Sequence, residues 1–229
     1  MEIKAADVAK LRKMTGAGMM DCKKALIEAD GDYDKAQDII RERGKLVAAK
    51  RADRSATEGV VVSKIVGQKG YMLCLACETD FVAKNSEFSA TANEILDIAI
   101  AADAADLEAL NAVAADGRTV ADKVTEKSGQ TGEKVELVFY AKIEAPMCVT
   151  YIHTNHKLGT LIGFNKEIGM EVAKDVAMQA AAMAPISISR EDCDPAVIEH
   201  ERSIGREQAR LDGKPEAMLD KIAEGKVNK

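Results

Sequence analysis

The apolar positions of this chain change period twice. Up to about residue 44 they recur at helical spacing in three short runs, Val8-Leu11-Met14, Cys22-Ala25-Leu26-Ala29 and Ala36-Ile39-Ile40. Side chains three and four apart share a helix face, so these runs predict three helices around a small core. Thr15-Gly16-Ala17-Gly18 makes a tight corner after the first, and Asp30-Gly31-Asp32 a cap and turn after the second. Gly44 is expected to close the third, and the basic, weakly patterned stretch Lys45 to Thr57 reads as a linker, with a helical start among its options.

From Glu58 the pattern turns to β. Val60 to Val66 and Tyr71 to Cys77 predict a hairpin across a four-residue turn, Gly67-Gln68-Lys69-Gly70. A helix follows, with Phe88, Ala92, Ile95, Leu96 and Ala99 on one face and Ser86 as its N-cap. Ala101 to Gly117 reads as helix or loop, Thr119 to Lys127 as a further helix, and Val135 to Ile143 as a third strand. The hairpin-then-helix pattern repeats in Cys148 to His153, Thr160 to Phe164 and Met170 to Met183, where Pro185 stops it. No third strand follows this second copy. Ala196 to Leu211 and Glu216 to about Lys226 are joined by Asp212-Gly213-Lys214-Pro215, the signature of an antiparallel helical hairpin expected to project from the body. The fold class is therefore α+β: a three-helix module (1–44), a linker (45–57), two related subdomains of antiparallel sheet plus helix (58–145 and 146–185), and a helical hairpin (190–229).

Charge narrows the function. The 229 residues carry 38 acidic against 32 basic side chains, a net charge of -6, which argues against phosphate-backbone binding as the main activity. No apolar run is long enough to span a bilayer. Met1 to Asp7 is charged and lacks the apolar segment of a signal peptide, so the cytoplasm is the expected location.

Candidate chemistry is sparse. The five cysteines are scattered, unlike a disulfide framework. Cys74 and Cys77 have CxxC spacing, but on a strand they point to opposite faces and cannot share a metal. His153 and His156 read as solvated turn residues. No phosphate-binding loop, GxSxG elbow or HExxH motif occurs. Gly16-Ala17-Gly18 follows a helix rather than a strand, which removes a dinucleotide reading. The expectation is a protein that is not an enzyme and needs no metal or cofactor.

What remains are contact signals. Phe81 lies at a strand-to-helix corner, Cys77-Glu78-Thr79-Asp80-Phe81-Val82-Ala83-Lys84, in a chain with four Phe, four Tyr and no Trp. Such a residue either anchors a pocket on a partner or folds back over the core, and spacing alone favours the second. Met19 and Met20 project about 100° apart on a helix, so a small bundle does not bury both easily, and methionine is over-used on binding surfaces.

Leu11 to Leu26 (LRKMTGAGMMDCKKAL) closely resembles the N-terminal signature of the bacterial elongation factor Ts family. Thr79-Asp80-Phe81-Val82-Ala83 is similar to its second signature, and Gly213-Lys214-Pro215 with Glu224-Gly225-Lys226 to its helical-hairpin segment. The resemblance covers essentially the whole chain. It implies a guanine nucleotide exchange factor for elongation factor Tu, bound both with GDP and without nucleotide. The N-terminal module would be of ubiquitin-associated type, with Leu11, Met19 and Met20 as its apolar contacts. Asp80 and Phe81 would enter beside the partner's nucleotide site and disturb its Mg²⁺, with Thr79 and Val82 shaping the corner. The family often has Met-His in the helix of the second subdomain; Met178-Gln179 stands here, and Gln hydrogen-bonds but cannot become cationic. Gln179 is thus a weaker contact candidate. The family pattern continues past Lys229 with a helix and a strand that would complete the second sheet. An adapter that binds another partner through the three-helix module is the alternative. A thiol- or metal-dependent enzyme using Cys74, Cys77, His153 and His156 is the remaining one.

Overall fold

Residues 3–228 are described by a computed structural model, which divides into two units, the first ending at Ala181 and the second beginning at Ala182. The first unit opens with α1 (Ala5–Thr15), α2 (Met19–Glu28) and α3 (Tyr33–Lys50). Gly16 takes the left-handed conformation (φ 67) that ends α1, and its amide bonds back to the Arg12 carbonyl at 2.7 Å. Asp32 caps α3 by accepting from the amides of Asp34 and Lys35. Val8, Leu11, Cys22, Ala25, Leu26 and Ala36 close a small core against Ile39 and Ile40. Met14 was expected in that core; it lies on the surface, 51% exposed.

The third helix does not close at Gly44 but runs on to Lys50, so the expected linker is helical over its first part. A glycine interrupts a helix only weakly, at about 1 kcal/mol relative to alanine, and here it is held by packing. Gly44 faces Gly129 of α7 (Val120–Thr131), where two glycine backbones meet without side chains between them.

After α3 come β1 (Glu58–Val66) and β2 (Lys69–Cys77), paired antiparallel from Glu58↔Cys77 to Val66↔Lys69. The turn between them is two residues, Gly67 and Gln68, shorter than expected, and Gly67 has the positive φ (61) such hairpins need. Then follow α4 (Asp80–Ala83), α5 (Ser86–Ala102), α6 (Leu107–Ala112), the small pair β3 (Ala114–Ala115) and β4 (Arg118–Thr119), α7, and β5 (Glu136–Glu144). Asn85 rather than Ser86 caps α5, its carboxamide oxygen accepting from the Glu87 amide at 2.8 Å.

β2 is the centre of the sheet, in the order β1-β2-β5. One face, with Val60, Val62, Tyr71, Leu73, Leu75, Leu137 and Tyr140, packs on Phe88, Ala92, Ile95, Leu96 and Ala99 of α5. The opposite face meets a second hairpin, β6 (Met147–Ile152) and β7 (Gly159–Phe164). Gly159 sits against Val61 and Met72, and Ser63 and Thr150 join their hydroxyls at 2.7 Å. Cover on both faces explains why β2 is a continuous apolar run rather than an alternating one. β6 and β7 form a two-stranded sheet whose core, Val149 with Ala173 and Ala177, is closed by α8 (Met170–Met183).

In the second unit, α9 (Pro195–Leu211) and α10 (Glu216–Val227) lie antiparallel. Ion pairs Arg202–Glu224 (2.9 Å), Arg206–Asp220 and Arg210–Glu216 (3.0 Å) step along the pair in opposite senses. Gly213 (φ 71) ends α9, and the Lys214 amide bonds back to Ala209. Gly205, Ala209, Leu219 and Ala223 are buried between the two helices, a narrow seam of small residues.

Candidate functional site

The corner after β2 is built by two successive caps. Thr79 is extended (φ -123), and its hydroxyl accepts from the Val82 amide at 3.5 Å, starting the single turn α4. Six residues on, Asn85 starts α5. Within α4 successive side chains step by about 100°, so consecutive residues cannot all face inward. Val82 and Ala83 pack on the sheet–helix core. Phe81 points away and is 84% exposed, the reverse of what spacing alone favoured. Asp80 is on the surface, paired with Lys84 at 2.6 Å; that hydrogen bond holds its carboxyl below the usual range.

The strand end beneath Phe81 is tied to two distant elements. The Glu78 carboxylate accepts from the Lys134 amide at 2.7 Å and from the Arg51 guanidinium at 3.0 and 3.1 Å, which together hold it below the usual carboxylate range. The Glu133 carboxylate accepts from the amides of Glu78 (3.1 Å) and Thr79 (3.0 Å) and from the Thr79 hydroxyl (2.6 Å). Arg51, Glu78 and Glu133 escaped the sequence reading. They lie 27 to 56 residues from their partners, and nothing local marks these pairings. The left-handed cap at Gly132, which turns the chain back beside the corner, was the one available hint.

Leu11, expected as an apolar contact, is fully buried in the module core and offers no surface of its own. Met19 and Met20, in the first turn of α2, are 43% and 63% exposed, and Met14 adds to the same corner. The Gln130 amide donates to the Thr15 carbonyl at 2.7 Å, fastening this loop to α7. Gln179 is exposed on α8, in line with exposed Val172 and Val176 at helical spacing.

Cys77 is buried, and burial, with the Glu133 charge nearby, pushes its thiol up to about 11, so it stays protonated. Cys74 is half-buried on the other face of β2. The His153 ring meets the Tyr151 hydroxyl at 2.8 Å in the β6–β7 turn. Among the described residues no group of three His, Cys, Asp or Glu side chains is arranged to hold a metal. No helix among them is long and apolar enough to cross a membrane.

Comparison with known proteins adds an independent line. A family model described as Elongation factor TS matches residues 78–229. An elongation factor Ts of Porphyromonas gingivalis is 48% identical over 230 residues, with 100% of this chain and 84% of that protein covered. One from Cytophaga hutchinsonii is 47% identical, with 99% and 84% covered. One from Bacteroides thetaiotaomicron is 44% identical, with 100% and 69% covered.

Proposed function

The chain belongs to the elongation factor Ts family, and from that premise we propose that it is the guanine nucleotide exchange factor for elongation factor Tu in translation elongation. It acts in the cytoplasm, on both the GDP-bound and the nucleotide-free partner, without direct contact to nucleic acid or membrane. It catalyses no covalent chemistry and uses no cofactor of its own.

Exchange is a matter of linkage. A factor that binds the nucleotide-free GTPase more tightly than the loaded form weakens nucleotide binding by the same ratio. In the partner, Mg²⁺ neutralises the terminal phosphates, so disturbing its surroundings removes much of what holds GDP. The Thr79–Val82 corner carries this role. Phe81 is the apolar wedge, Asp80 sets a carboxylate beside the phosphate site, and Thr79 and Val82 shape the turn. Met19 and Met20 dock the three-helix module on the GTPase, and Leu11 belongs to the core that holds their helix in place. Gln179 adds a neutral hydrogen-bonding contact from α8. The observation that supports this reading most is Phe81, 84% exposed on a turn whose flanks are packed and hydrogen-bonded.

Release of a fluorescent GDP from elongation factor Tu, followed by stopped flow with and without this chain, tests the proposal. Acceleration that saturates with chain concentration is expected. Binding without faster release would instead favour the adapter reading.

A further inference from the structure

The ladder of β2 ends at Cys77, paired with Glu58, so the amides of Glu78 and Thr79 have no strand partner. Backbone donors near a core need one. Glu133 supplies it from a segment 55 residues further along the chain. One oxygen takes both amides, at 3.1 and 3.0 Å, and the other takes the Thr79 hydroxyl proton at 2.6 Å. With its proton committed there, the Thr79 oxygen is left to accept from the Val82 amide and start α4. The bond is reciprocated across the same two segments, because Glu78 accepts from the Lys134 amide at 2.7 Å. Arg51, the residue that caps α3, grips Glu78 from the other side.

Phe81, at 84% exposure, has almost no packing of its own to aim it. Its direction is set by the backbone of residues 79–82, and that backbone is set by Glu133. A wedge that must enter a partner's site depends on such support, since constellations held more than about 0.5 Å from their working geometry lose effect. We propose that Glu133 is a positioning residue for nucleotide exchange: it holds the Thr79–Val82 corner in the conformation that presents Phe81. The assignment rests on the exchange reading above. It adds that Glu133 acts on the exchange step rather than on docking, which Met19 and Met20 serve from a separate surface.

The test is GDP release from elongation factor Tu at increasing concentrations of the full chain, as wild type, Glu133→Ala, Glu133→Gln and Phe81→Ala. Glu133→Ala is expected to lower the maximal release rate by about tenfold or more, the loss expected when one charge-assisted cluster fails, while the half-saturating concentration changes by less than about twofold. Glu133→Gln keeps one acceptor oxygen and falls between. Adding Phe81→Ala to Glu133→Ala is expected to cost little more than either alone, because both act through one corner. Amide hydrogen exchange on the free chain gives a readout that needs no partner: protection at Glu78 and Thr79 is lost in Glu133→Ala while the α5 core stays protected. A Glu133→Ala chain with full maximal rate overturns the assignment but leaves the exchange reading intact. A wild-type chain that leaves GDP at its spontaneous release rate overturns both. Unchanged amide protection at Thr79 removes the clamp itself.

Discussion

Gly44 of α3 and Gly129 of α7 meet backbone to backbone, and a Cβ built on Gly129 would overlap the Gly44 Cα. The contact is asymmetric, since a Cβ built on Gly44 would lie 3.6 Å from the Gly129 Cα, an ordinary contact distance. Gly44→Ala is therefore expected to be neutral or slightly stabilising, because alanine favours a helix by about 1 kcal/mol over glycine. Gly129→Ala forces α3 and α7 apart and is expected to cost about 1–3 kcal/mol, the usual range for overpacking. Urea denaturation of the two variants side by side separates them. Equal effects would mean that the helices do not cross at these two residues.

Phe81→Ala should separate function from stability. A side chain that is 84% exposed contributes little to folding, so the unfolding free energy is expected to stay within about 0.5 kcal/mol of wild type. The accelerated release of GDP from elongation factor Tu is expected to be mostly lost. Leu11→Ala behaves in the opposite way: it empties a fully buried site and is expected to cost about 2–5 kcal/mol of stability. A loss of stability in Phe81→Ala would show that the ring packs on the core.

Met20→Asp places a charge at the 63% exposed position of the proposed docking surface. The half-saturating concentration for GDP release is expected to rise by about tenfold or more, as for a contact worth over 1.4 kcal/mol, with the maximal rate retained. Titration of elongation factor Tu by the variant, with release as the readout, decides this. A lower maximal rate at unchanged half-saturation would place Met20 in the exchange step instead.

Asp103 contributes a pH-dependent part of the fold's stability. It caps α5 in the left-handed conformation (φ 48), and its carboxylate takes bonds from Lys69 (2.9 Å) and Tyr71 (3.1 Å) and an ion pair from Lys142 (3.1 Å). Lys69 first, then Lys142 and Tyr71, hold it down from 3.8 to about 2. A carboxyl with a depressed folded pKa stabilises most above its unfolded value. The contribution is thus full above about 3.8 and is lost as pH falls through about 2. Asp103→Asn keeps a residue that tolerates left-handed backbone but removes the charge. Its stability relative to wild type is expected to be lower at pH 6 and to converge with it towards pH 2, as measured by urea midpoints across that range. A constant gap over the whole range would rule out the ionised carboxylate as the cause.

Much of this protein is determined by sequence alone because much of it is local. The apolar face Phe88, Ala92, Ile95, Leu96 and Ala99 is buried on α5 as a period of three and four requires, and α8 spans Met170–Met183 as its pattern predicts. The Gly16 and Gly213 breaks follow from single residues that take positive φ. The family, too, is readable from contiguous motifs. What the sequence could not decide are relations between residues far apart. Gly44 reads as a stop, yet it is kept inside α3 by a glycine 85 positions later, because close packing repays what helix propensity withholds. Spacing alone reads Phe81 as a core plug rather than an anchor, and it takes the packing of Val82 and Ala83 on the sheet, with the Glu133 bonds to the corner backbone, to turn it outward. Leu11 carries the family signature but is buried by the fold around it. Glu133 itself carries no mark beyond the Gly132 turn before it. Its role exists only because Gly132 turns the chain back to the end of β2, where two backbone amides have run out of strand to bond.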